Sequence, residues 1–228
     1  MPGSVVAYPR PSVGDLLQSA PVWWAAAYLM GAIPVGVVLA RAKGIDLRTV
    51  GSGNIGATNA ARALGTKLGL VVFALDVLKA ALPVWLASQS WALGSMDDPS
   101  WALAGVAFMA VVGHIFPVYL RFQGGKGVAC GLGIFVALDP GVALAAMVMY
   151  VQGLVLTRTS AVGSLTAVTS ICLCLIIADK PSAHVAVGLA ASTLIWLRHT
   201  SNIKGLIAEA KARKQAQRAT EGPDGPSA

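Results

Sequence analysis

Six long apolar runs, at residues 21–40, 68–87, 101–120, 140–156, 160–178 and 182–197, alternate with short polar stretches, and a shorter glycine-rich run covers 128–138. A helix crosses the hydrocarbon core of a bilayer with about 20 apolar residues, fewer where flanking side chains reach the interface. The long runs therefore predict transmembrane helices. The short run admits two readings, a seventh crossing or a re-entrant segment that leaves six.

Positive charge separates the two, because loops rich in Lys and Arg stay in the cytoplasm while acidic residues count for little. With seven crossings, one face collects Arg41, Lys43, Arg48, Arg62, Lys67, Arg121, Lys126, Arg158, Arg198, Lys204, Lys211, Arg213, Lys214 and Arg218. The other face holds only Arg10 and Lys180, and Lys79 falls inside a run. A re-entrant 128–138 would put Arg158 and the basic C-terminal tail outside. The expectation is an all-α polytopic membrane protein of about seven transmembrane helices, with its N-terminus outside and its C-terminus cytoplasmic. Residues 1–20 read as a polar N-terminal segment. The run at 21 is too long and too poorly flanked for a cleavable signal, so it is read as the first helix. Residues 21–207 form a single membrane domain, and 208–228 a basic, flexible tail: a short helix followed by a solvated Glu-Gly-Pro-Asp-Gly-Pro stretch. No fixed-period repeat and no match between the two halves is visible.

Composition sharpens this picture. With 56% hydrophobic and 12% charged residues and a mean hydropathy of +0.69, the 228 residues carry too little polar surface to coat a soluble globule. The net charge of +7 matches cytoplasmic loops, and aromatics do not interleave with the basic runs, which argues against nucleic acid. Cys130, Cys172 and Cys174 sit in apolar runs without C-x-x-C spacing, so they read as packing residues and suggest neither a disulfide framework nor a metal site.

Four polar clusters carry candidate chemistry. The loop Gly51-Ser-Gly-Asn-Ile-Gly-Ala-Thr-Asn59 with Arg62 reads either as a glycine-rich turn or as an anion cradle, in which backbone N–H groups, Ser52, Thr58 and the Asn side chains donate and Arg62 offers a bidentate fork. Its G-x-G-x-x-G spacing lacks the strand–helix–strand context of a dinucleotide site, and Asp76 falls inside a membrane run. Asp76 and Lys79, three apart on one helix face, form either a self-neutralising pair or a substrate contact. In Gly113-His-Ile-Phe-Pro117 and Phe122-Gln-Gly-Gly-Lys-Gly-Val128, Lys126 lies between glycines at the start of a helix, a cationic turn that is not a Walker motif. His114 is either a proton carrier or an ordinary hydrogen-bonding residue. In Arg198-His-Thr-Ser-Asn-Ile-Lys204, basic groups suit a helix C-terminus on electrostatic grounds alone. All four clusters fall on one membrane face under the charge-derived topology, which implies a phosphate site set against apolar helices able to hold an acyl chain.

At these four ordered motifs the sequence resembles the bacterial PlsY family, the acyl-phosphate:glycerol-3-phosphate acyltransferases, over most of its length. The resemblance implies seven transmembrane helices in the inner membrane and an active site facing the cytoplasm. It implies transfer of a fatty acyl group from acyl phosphate to the 1-hydroxyl of glycerol 3-phosphate, the first acylation of phospholipid synthesis, giving lysophosphatidic acid and phosphate without metal or coenzyme. Family roles carry over onto Ser52, Arg62, Lys126, His199 and Asn202. Further substrate contacts are implied at Gly53, Asn54, Thr58, Asn59, Lys79, His114, Gly124, Gly125, Gly127 and Lys204, and at a serine after Arg158, with Ser164 preferred over Ser160. The implied partners are the two substrates, membrane lipid and the enzyme that forms acyl phosphate. Three positions depart from the family pattern: Ala32, Ala80 and Gly205. Acyl phosphate is already activated, so alignment and charge stabilisation suffice. Consistently, the H-x-x-x-x-D arrangement of acyl-CoA transferases is absent: residues 119, 189 and 204 are Tyr, Leu and Lys. The competing expectation is a small organophosphate or anion transporter, which would show midplane helix breaks and internal symmetry.

Overall fold

Proline divides the first apolar run. In the computed structural model, which describes residues 12, 14–15, 19–92 and 99–220, that run is α1 (Ala20–Ala32) followed by α2 (Val35–Arg41), where the sequence suggested one uninterrupted helix. Pro34 has no N–H and holds Ile33 in an extended conformation (φ −57°, ψ 117°). The helix ladder stops there, and the Ile33 carbonyl, which accepts from Val35 N–H at 3.0 Å, keeps a lone pair for a second donor.

The remaining elements are α3 (Ala57–Leu64), α4 (Thr66–Ala92), α5 (Ser100–Ile115), α6 (Val128–Leu138), α7 (Pro140–Thr157), α8 (Ser160–Ile177), α9 (Ser182–Arg198) and α10 (Thr200–Thr220), with single 3-10 turns at Leu47–Thr49 and Val118–Leu120. Among the described residues there is no strand. Five segments are long and apolar enough to cross a membrane: Ala20–Arg41, Thr66–Ser90, Ser100–Leu120, Pro140–Thr157 and Ser160–Ile177. The expected sixth run is α9, with 17 residues, and the ambiguous short run is α6, with 11 residues. The architecture is all-α and polytopic. The Glu221–Ala228 stretch expected to stay solvated and most of the polar N-terminal segment 1–20, Arg10 included, lie outside the described residues.

Helix α1 packs along α5, α4 along α6, α3 on α4, and α7 along α8. Lipid tails are as apolar as the helices, so close backbone approach drives such pairing. At α1–α5 small residues allow it. A Cβ on Gly31 would run into the Ala110 backbone, and one on Gly113 into the Tyr28 backbone. Val106, Ala107, Val111, Ile115, Ile134, Phe135 and Leu175 fill the interior. Large apolar side chains such as Leu144, Val155, Leu156, Ile176 and Ile177 point outward, Ile177 with 81% of its surface open. That arrangement would be costly in water and is expected where hydrocarbon is the solvent.

The ends of α6 are tied to opposite ends of α9. Arg198, at the C-terminus of α9, donates to the Gly124 and Gly125 carbonyls just before α6. Asp139, just after α6, pairs at 2.7 Å with Lys180, just before α9. Seventeen helical residues rise about 25 Å and eleven about 16 Å, so the irregular stretch 123–127 makes up the remaining depth. The glycine loop is thereby drawn into the bundle, with Gly125 and Gly127 buried.

Candidate active site

Lys126 sits at the centre of this loop. Peptide 124–125 is fixed from both sides: its carbonyl accepts from Arg198 Nη2 at 3.1 Å, and its N–H donates to the His114 carbonyl at 3.1 Å. The Gly125 carbonyl accepts from Arg198 Nε at 3.3 Å, so the Lys126 N–H of that same planar peptide points the opposite way. Gly127 turns with φ +90° into α6. No described residue pairs with the half-buried Lys126 ammonium. Burial, then the charges of Arg62 and Arg198, push its pKa below the ordinary lysine value. Three cations from α3, the glycine loop and α9 thus share one field, and no described carboxylate forms an ion pair with any of them.

The loop before α3 approaches the same region. Gly51 and Gly53 take left-handed φ of 57° and 68°. Asn59 is buried and uses its whole amide to hold this loop: Oδ1 accepts from Ser52 N–H at 3.0 Å, and Nδ2 donates to the Leu47 and Val50 carbonyls. Asn54 Oδ1 accepts from Gly56 N–H at 2.9 Å. The Ser52 side chain is exposed. Thr58 Oγ1 lies 3.1 Å from Ser160 Oγ, which lies 3.1 Å from Tyr150 OH, joining the loop to the α7–α8 turn. Ser164 is buried one turn further along α8, its Oγ donating to the Ser160 carbonyl.

At the α9–α10 junction, His199 is 1% exposed. Its Nδ1 is 2.8 Å from the Ile195 carbonyl. A carbonyl only accepts, so Nδ1 carries the proton and Nε2 keeps its lone pair. Burial holds the His199 pKa below 6.5 against the opposing effect of that hydrogen bond, and the Lys126 charge adds to the lowering. The ring is therefore neutral at pH 7. Asn202 is half-buried and Lys204 exposed on α10.

Lys79 and His114 are buried beneath the loops, with the His114 ring packed directly against Gly125. Lys79 Nζ is 2.8 Å from Asp76 Oδ1 and donates to the Ile33 carbonyl at 2.6 Å. His114 Nδ1 is 3.8 Å from the same Asp76 oxygen. All three are at least 93% buried. Of the two readings of Asp76 and Lys79, the geometry displays the internally neutralised pair, anchored to the Ile33 carbonyl at the break before Pro34.

Arg198 is the site residue that sequence reasoning passed over, since a cation ending a helix has an ordinary explanation. Its reach to residues 73 and 74 positions earlier has no local signal. Tyr150 is similar, an aromatic in an apolar run until the fold sets it beside Ser160. Among the described residues no group of three His, Cys, Asp or Glu is placed to hold a metal ion. An open groove of about 440 Å³ runs along α8 and α9 to Thr200 and Ile203, with Cys172, Leu189, Trp196 and Leu197 among its walls.

Comparison with known proteins places this arrangement. The family model described as Glycerol-3-phosphate acyltransferase matches residues 21–209. A Glycerol-3-phosphate acyltransferase of Anaeromyxobacter dehalogenans (strain 2CP-C) is 52% identical over 196 residues, covering 85% of this chain and 95% of the relative. One from Aquifex aeolicus (strain VF5) is 41% identical over 181 residues, covering 79% and 92%. The fold is similar to crystal structures of PlsY, an integral membrane glycerol 3-phosphate acyltransferase. Its glycerol 3-phosphate form superposes with a TM-score of 0.78 at 40% identity, over 83% of this chain and 92% of that one. Its lysophosphatidic acid form gives 0.76 at 38%, with the same coverage. Three motifs brought together around Lys126 in a helical membrane bundle, and a match over nearly all of that bundle, lead to one assignment: the chain belongs to the glycerol-3-phosphate acyltransferase family, as a multi-pass integral membrane protein.

Proposed function

We propose that the protein transfers a fatty acyl group from acyl phosphate to the 1-hydroxyl of glycerol 3-phosphate, giving 1-acylglycerol 3-phosphate and inorganic phosphate. The observation that carries this reading is the half-buried Lys126 ammonium, unpartnered and grouped with Arg62 and Arg198 without a neutralising carboxylate. A buried cation is costly without an anion. Phosphate is the anion common to donor, acceptor and both products.

In this reading Arg62 and Lys126 hold phosphate groups, with Ser52, Gly53 and Thr58 on one side and Asn202 and Lys204 on the other. The hydroxyl oxygen attacks the acyl carbon, a C–O bond forms, and the bond from that carbon to the phosphate oxygen breaks. The electron pair leaves with phosphate, where the cations stabilise it. The hydroxyl proton passes to a substrate phosphate oxygen, assisted by the His199 Nε2 lone pair. Gly124, Gly125 and Gly127 set the loop, Ser160 or Ser164 completes the α8 side, and Asn54 and Asn59 shape the first loop. Lys79 and His114 act from behind, through the bundle. The apolar groove between α8 and α9, which reaches Thr200 and Ile203 at the α9–α10 junction, offers a surface for an acyl chain. The basic residues favour a cytoplasmic site in a bacterial inner membrane, reached by acyl phosphate from the enzyme that makes it.

Purified protein in lipid, given labelled glycerol 3-phosphate with either acyl phosphate or acyl-CoA, tests the reading. Labelled lysophosphatidic acid from acyl phosphate is the expected result. Product from acyl-CoA alone overturns the donor. No product from either, with folded protein, overturns the reaction and directs attention to flux across sealed vesicles.

A further inference from the structure

A second cationic site shares no residue with Arg62, Lys126 and Arg198. It lies where two membrane segments finish, Ala20–Arg41 at Arg41 and Ser100–Leu120 at Leu120. A cavity of about 380 Å³ opens there, lined by Arg41, Arg48, Tyr119, Leu120, Arg121 and Gln123. Three arginines from three separate segments border one small volume.

Little in the protein offsets them. Asp46 Oδ1 lies 3.7 Å from Arg48 Nε, with both side chains substantially exposed, and that same oxygen already accepts from the Arg48 amide as the cap of its turn. Exposed pairs of this kind are weak. The side chains of Arg41 and Arg121 form no hydrogen bond or ion pair with a described residue. Like charges gathered around a cavity favour an anion, and the guanidinium fork matches phosphate oxygens.

The turn that supplies Arg121 is itself unusual. Arg121 and Phe122 are consecutive non-glycine residues in the left-handed region, with φ of 52° and 63°. Phe122 N–H donates to the Pro117 carbonyl at 2.9 Å and Gln123 N–H to the Leu120 carbonyl at 3.1 Å, which holds the turn. Such conformations persist where surrounding structure imposes them, and they gather at ligand sites.

The surroundings select the source of the phosphate. Val38, Val118, Tyr119 and Phe122, on the same segments, are large apolar side chains between 43% and 60% exposed. Exposed aromatics at the end of membrane segments mark the interface between hydrocarbon and water. A free anion would need the arginines alone, whereas a lipid needs the arginines with apolar surface beside them. We propose that Arg41, Arg48 and Arg121 form a site for the phosphate group of an anionic membrane lipid, separate from the acyl-transfer site.

Full-length protein in neutral detergent, titrated with phosphatidylglycerol, phosphatidylcholine or inorganic phosphate and read by native mass spectrometry, tests this. Wild type should retain phosphatidylglycerol in preference to phosphatidylcholine. Affinity should fall about fivefold for each arginine removed in Arg41→Gln, Arg121→Gln and the double variant, and salt should weaken it. The variant with all three arginines changed to Lys should keep most of the preference, which separates lost charge from lost fold. Equal phosphatidylglycerol binding by wild type and a folded double variant overturns the site. Arginine-dependent binding of inorganic phosphate that displaces the lipid overturns the lipid assignment.

Discussion

Lys126 carries a charge that no described group neutralises, and its surroundings work against that charge. Burial and the neighbouring Arg62 and Arg198 lower its pKa from 10.5, so it loses its proton at a lower pH than a free lysine. If the ammonium holds phosphate, activity falls as pH rises through that lowered value. The alkaline limb of kcat/KM, which reports the free enzyme, is expected below pH 10.5. Bound phosphate favours the charged form, so the limb of kcat is expected at higher pH than that of kcat/KM. Lys126→Arg, whose guanidinium does not titrate in this range, should remove the limb even if turnover is slower. An unchanged alkaline limb in that variant would rule Lys126 out as its source. His199 works in the opposite sense: its lowered pKa keeps Nε2 free at neutral pH.

At the scale of elements, the break between α1 and α2 and the pair on α4 belong together. The break at Pro34 takes the Ile33 carbonyl out of the helix ladder, where it accepts from Val35 N–H and from Lys79, which also neutralises Asp76. Removing one member of a buried pair leaves an uncompensated charge, a loss of about 3 to 5 kcal/mol. Lys79→Met should therefore lower unfolding stability strongly. Adding Asp76→Asn should recover much of it, since no buried carboxylate then remains. Chemical denaturation of the two variants in mild detergent checks this, and a double variant no more stable than Lys79→Met would defeat it. The loop between α5 and α6 depends on a different pairing, since Arg198 and the His114 backbone grip the same peptide from opposite sides. Here the sequence revealed the glycines and the lysine, but not the arginine that orders them.

For the whole molecule, the distribution of Lys and Arg and the linkage of α6 to α9 support the same topology. Gly124 and Gly125 meet the α9 C-terminus, and Asp139 meets Lys180, two residues before its N-terminus. A helix whose two ends touch opposite ends of another traverses the same depth, which favours seven crossings over a re-entrant α6. Single cysteines at Ser182 and Ser201, in a background where Cys130, Cys172 and Cys174 are changed to Ala, test this in intact cells. Ser182 is expected to react with an impermeant maleimide from outside, and Ser201 only after the membrane is opened. Labelling of both from outside would refute the topology.

Hydrophobic run length and charge placement are local properties that the bilayer reads directly, so the all-α membrane architecture, most of its boundaries and the four motif clusters were legible in the chain alone. Helix breaks were legible less fully: Pro34 was visible, but the Lys79 that makes its break tolerable lies 46 residues away. Tertiary structure decided the rest. Only packing reveals that Asn59 uses its amide on its own loop, that Asp76, Lys79 and His114 are buried together, and that Arg198 reaches the glycine loop. Hydrogen bonds between residues far apart in sequence leave no periodic trace, because their partners are chosen by the distance between helices and not by spacing along the chain.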